Sequence, residues 1–123
     1  MIKWPPDYTK VFQDRQKRLK SILTSNDIAF GAIEYYRKHP KDFIEHWCMT
    51  YDPRKAGTDV PTMMPFVMFP RQKELVQFLW ECLKDQESGL IEKSRDMGAT
   101  WICCAFSVWA WLFIPGVAVG WGS

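Results

Sequence analysis

A chain of 123 residues accommodates one compact domain, with a core that removes roughly 65% of the unfolded surface from water. Hydrophobic residues at 47% and charged residues at 24% exclude a wholly disordered chain, a collagen or a coiled coil. The net charge of +2 is too small to imply nucleic-acid binding by charge alone.

Charge is uneven along the chain. Residues 1–40 carry eight Lys/Arg against four Asp/Glu, and residues 41–123 carry eight against ten. A basic front suits an anionic partner and equally suits a solvated helix face. Cys48, Cys82, Cys103 and Cys104 form no CxxC, and His46 with Cys48 is a single near-pair, short of a zinc set. Free thiols behind a start without an apolar leader point to a reducing compartment.

Residues 1–6 read as an extended arm. Asp7 reads as a helix N-cap, followed by helical spacing over residues 8–23, where Val11, Phe12, Leu19, Ile22 and Leu23 share a face. Ser25-Asn26-Asp27 stops that helix and caps a second, Ile28 to about Lys38. Pro40 suits the first turn of a third, through Phe43, Ile44 and Trp47. Residues 51–65, rich in Pro, Gly and Asp, read as a linker between a helical region (1–50) and an α/β remainder (66–123). Phe66 to Phe69 is a short extended piece, and Pro70 opens a helix whose Leu75, Phe78, Leu79, Cys82 and Leu83 recur at helical spacing. Leu90-Ile91-Glu92 is a strand candidate. A loop, a buried helix from Gly98 to about Phe113, and a second strand from Val117 follow. Strand, helix, strand is a βαβ unit, which implies a parallel sheet.

From Gly98 to Ser123 there is no charged residue, long enough to span a bilayer, but Pro115-Gly116 breaks the run. A buried helix followed by a buried strand explains both halves, so a membrane span is not expected.

The loop reads Lys93-Ser94-Arg95-Asp96-Met97-Gly98-Ala99-Thr100. Against the phosphate-loop pattern G-x-x-x-x-G-K-[ST], Gly98 fills the second glycine slot and Thr100 the magnesium-contacting hydroxyl slot. Lys93 stands at the first glycine and Ala99 at the lysine. Successive backbone N–H groups at a helix N-terminus still form an anion cradle, and Lys93 or Arg95 can supply the cation from the front of the loop. Asp96 must then point away. Upstream, Phe69-Pro70-Arg71-Gln72 places an amide at a helix start, where it can read an adenine edge.

The run PFVMFPRQKELVQFLWECLKDQESGLIEKSRDMGATW, with the preceding FIEHWCMTYDPR, resembles the large terminase subunit of tailed bacteriophages over residues 40–123. The resemblance implies an α/β chain, a helical N-terminal region followed by the start of a P-loop NTPase parallel-sheet domain. It matches Gln72 to the adenine-reading glutamine and Lys93 or Arg95 to the displaced phosphate-binding residue. Gly98 and Thr100 become the loop glycine and the Mg²⁺-contacting hydroxyl, within a site for ATP made of Gln72 and residues 93–100. It implies an ATP-driven motor working in the cytoplasm of an infected bacterium. Its partners would be the small terminase subunit, the portal, double-stranded DNA and, on the host side, an antiviral sensor. No apolar strand ending in Asp-Glu and no nuclease carboxylate cluster occurs, so no catalytic residue is expected and the run reads as the front of a longer ATPase. A protein-binding module without nucleotide turnover is the competing expectation, favoured by seven Trp.

Overall fold

In a computed structural model, residues 5–51, 57, 63–92 and 98–120 are described. Among them the chain is mainly helical: α1 (Tyr8–Thr24), α2 (Asn26–Lys38), α3 (Pro40–Trp47), α4 (Pro70–Asp85) and α5 (Ala99–Phe113). Strands β1 (Met49–Tyr51) and β2 (Met63–Pro65) complete it.

The helix starts follow local chemistry. The Asp7 side chain accepts from the Thr9 N–H at 3.1 Å and begins α1. Ser25 is extended, ends α1 and caps α2 by accepting from the Ile28 N–H at 3.4 Å. Pro40 and Pro70 occupy the first turns of α3 and α4, where a missing N–H costs nothing. Gly98 caps α5 with φ +71°, a left-handed conformation that favours glycine.

The core is a helical layer. Ile102 and Trp109 on α5, Val76 on α4, Ile44 on α3 and Met68 before α4 are fully buried, each contributing about 1.5–3 kcal/mol by leaving water. Tyr36, Phe43 and Phe106 complete an aromatic cluster, with the Trp80 and Trp109 rings meeting edge to face at 5.0 Å. On α1 the expected apolar face is mostly unused: Val11 is buried, whereas Phe12, Leu19 and Leu23 are exposed.

The two strands pair antiparallel, Met49 opposite Pro65 and Tyr51 opposite Met63, across the segment read as a linker. The Phe66 N–H extends the pairing to the Cys48 carbonyl at 2.9 Å. The Trp101 indole donates to the Met49 carbonyl at 2.9 Å and ties the start of α5 to this hairpin.

The expected parallel pair is not formed among the described residues. Leu90 to Glu92 is irregular, with Leu90 93% exposed, and residues 117–120 form no strand. A parallel strand needs a neighbour on its ladder and cover on both faces. Here α4 and α5 pack on each other and on α3, so the core lies between helices and neither segment has a ladder to join. No helix among the described residues is long and apolar enough to cross a membrane.

Candidate functional site

Lys93, Ser94, Arg95, Asp96 and Met97 lie outside the described residues. The other predicted site positions, Gln72, Gly98, Ala99 and Thr100, are described, and Gln72 approaches Gly98. Gln72 is in the first turn of α4 and 7% exposed. Its Oε1 accepts from the Phe69 N–H at 3.1 Å, the capping geometry expected of a glutamine three residues into a helix. Its amide nitrogen faces Gly98: a Cβ built on Gly98 would lie 2.8 Å from Gln72 Nε2. Glycine is therefore required twice at position 98, for the positive φ and for the approach of the amide.

Behind Gly98, Ala99 is buried and Thr100 is exposed. The first intrahelical bond of α5 runs from the Ile102 N–H to the Gly98 carbonyl at 3.0 Å, and among the described residues no side chain caps this end. The leading N–H groups of α5 lack intrahelical acceptors and lie beside Thr100, an arrangement that attracts anions. These residues fit a nucleotide phosphate: a glycine permits close backbone approach, the helix end supplies donors, and the Thr100 hydroxyl can join Mg²⁺ alongside phosphate oxygens. Among the described residues no group of three or more His, Cys, Asp or Glu could hold a metal ion unaided. For Gln72 to read an adenine edge, its Oε1 must accept from the base with its second lone pair or give up the Phe69 N–H.

Sequence reading missed two charged features. Lys73, next to Gln72, pairs with Glu45 of α3 at 3.0 Å, both side chains being largely buried. Glu45 Oε1 falls outside hydrogen-bond geometry while remaining at ion-pair distance, so the attraction there is Coulombic rather than directional. The second is a cleft between α1 and α3, where Arg15 donates to the Glu45 and Cys48 carbonyls, both at 2.7 Å. These are end carbonyls of α3, and a basic side chain on them suits the helix dipole. A basic residue within an amphipathic helix carries no sign of which carbonyl it will reach.

The His46 Nδ1 lies 2.7 Å from the Tyr36 hydroxyl, and burial, with Arg18 nearby, lowers the imidazole to about 4. Burial pushes the Cys48 thiol up to about 11, so it stays protonated at neutral pH. No family model matches the chain, and neither a curated protein nor a solved structure does.

Proposed function

We propose that the chain is the ATP-binding front of a DNA-packaging motor of the large-terminase kind. The observation that carries this reading is the meeting of Gln72 with Gly98, two positions separated in sequence by α4 and the loop. A site joining an adenine-reading amide to a phosphate loop needs that proximity. The bare N-terminus of α5 and the exposed Thr100 beside it add support.

In this reading residues 93–97 wrap the phosphates and Lys93 or Arg95 supplies the cation. Thr100 joins Mg²⁺, and the residues that activate water belong to other parts of the motor. The parallel sheet of a P-loop domain would be formed by strands other than the antiparallel hairpin. Double-stranded DNA, the portal and the small terminase subunit would be partners of the assembled motor, in the cytoplasm of an infected bacterium.

The test is titration with a fluorescent ATP analogue and Mg²⁺. Saturable binding that weakens at least tenfold in Gln72→Ala and in the Lys93→Ala/Arg95→Ala double variant is expected. Affinity unchanged in both removes the assignment.

A second reading is favoured by the outer face of α5, where Trp101, Val108, Trp111 and Leu112 are exposed together. It makes the chain a module recognised by a protein such as a host antiviral sensor, without nucleotide turnover. Complex formation unaffected by the same loop variants would favour it.

A further inference from the structure

The cleft between α1 and α3 has a volume of about 560 Å³, within the range of small-molecule sites. Its inner wall is built from donors. Arg15 gives Nη2 to the end carbonyls of α3 and Nη1 to the Met49 sulfur, and its Nε is buried with no acceptor. Arg18, nearly one turn further along α1, is half-buried and has no hydrogen bond or ion pair among the described residues.

His46 supplies the third donor. The Tyr36 hydroxyl lies 2.7 Å from its Nδ1. A phenol is the stronger acid of the two and a neutral imidazole nitrogen the stronger base, so the hydroxyl donates to His46 Nδ1. The neutral ring then carries its own proton on Nε2, a donor not yet used.

The acids of the cleft are either engaged or outside. Asp42 accepts from the Tyr35 hydroxyl, and Glu45 is paired with Lys73. Asp7 and Asp14 are exposed and, with the exposed Lys10, line the mouth. Two acids against one base disfavour a polyphosphate or a nucleic-acid backbone there, while the inner wall calls for one oxyanion. A guanidinium fork and an imidazole N–H offer three donors, matching the three oxygens of a phosphoryl group better than the two of a carboxylate. At the rim, Tyr35 is held by stacking on His39 at 4.1 Å between centroids, a rigid aromatic edge for the organic part of a ligand.

We propose that this cleft binds a small phosphomonoester, its phosphoryl oxygens received by the Arg18 guanidinium and the His46 Nε2–H. The site shares no residue with the loop at 93–100 and stands whether or not that loop binds ATP.

The 123-residue chain, labelled at its imidazoles, is titrated with inorganic phosphate, glycerol 3-phosphate and acetate. His39→Gln assigns the His46 signals. Saturable shifts at His46 are expected with both phosphates in the millimolar range or below. Affinity should fall at least tenfold in Arg18→Gln, the size of one charge-assisted contact. Arg18→Lys, which keeps the charge without the fork, should lie between. Circular dichroism of both variants should match the parent, since Arg18 makes no hydrogen bond or ion pair among the described residues. No saturable shift, an equal response to acetate, or unchanged affinity in Arg18→Gln would overturn the proposal. So would ATP binding at His46 more tightly than glycerol 3-phosphate.

Discussion

The indole N–H of Trp109 donates to the main-chain carbonyl of Tyr36 at 2.6 Å, across 73 positions of sequence. That carbonyl belongs to the last turn of α2, where it also accepts from the His39 N–H at 3.2 Å. Trp109 thereby fills the core and adds a second donor at a helix end. Trp109→Phe keeps most of the apolar area and loses the donor, so it should cost about 2 kcal/mol. Trp109→Ala should cost about 3–5 kcal/mol. Urea unfolding followed by far-ultraviolet circular dichroism measures both, and a Trp109→Phe variant as stable as the parent would show that the hydrogen bond contributes nothing.

Helix positions were legible because their signals are local. Asp7, Ser25, Pro40 and Pro70 act within one turn of themselves, and each starts or caps a helix where its chemistry places it. Strand pairing was not legible, since a strand exists only through a partner. The apolar stretch at Leu90 reads the same whether or not a ladder receives it, and Met49–Tyr51 and Met63–Pro65 are too short to show alternation. In the candidate site, Gln72 and Gly98 were readable singly, but their contact depends on how α4 packs against α5. Arg18 and His46 came together only through the packing of α1 beside α3, which no spacing within either helix encodes.

Position 98 separates two effects that one substitution would merge. Gly98→Ala meets a backbone cost of about 1 kcal/mol from the positive φ, plus crowding against the Gln72 amide. The amide is the end of a flexible side chain, so crowding is the smaller part. In a Gln72→Ala background the cost of Gly98→Ala should fall by about 0.5 kcal/mol and no more, as measured by a double-mutant cycle. Full loss of the cost in that background would show that the backbone conformation is unstrained.

The Glu45–Lys73 pair joins α3 to α4 at 3.0 Å with little access to water. Lys73→Met leaves the Glu45 carboxylate buried without its cation and should destabilise by about 3–5 kcal/mol. Glu45→Gln combined with Lys73→Met removes both charges and should recover most of that loss. Thermal unfolding of the two variants beside the parent checks the order, and a double variant no better than Lys73→Met would sink the ion-pair account.

His46 should make the fold acid-sensitive. Its imidazole is lowered to about 4 by burial first and by Arg18 second, with Asp42 opposing and Arg15 adding. The unfolded chain binds the proton near 6.5, above the folded value, so this stability is complete above pH 6.5 and falls as pH drops toward 4. Allowing for solvent screening at a half-buried ring, the loss should be about 1–2 kcal/mol across that window. His46→Gln should flatten it in a series of urea midpoints between pH 4 and 7. Arg18→Gln should move its midpoint upward, because the neighbouring positive charge is gone.

On α5, Val108, Trp111 and Leu112 lie within one turn of each other on the side away from the core, with Trp101 two turns earlier. Trp111 is 69% exposed, an unusual state for the largest side chain in a helix that otherwise buries Trp109 completely. Trp111→Glu with Leu112→Glu should therefore change unfolding free energy by no more than about 0.5 kcal/mol. The same pair should suppress concentration-dependent association, read as a sedimentation coefficient that no longer rises with protein concentration. If the double variant instead unfolds, the stripe is part of the chain's own core rather than a surface, and α5 must pack on that side as well.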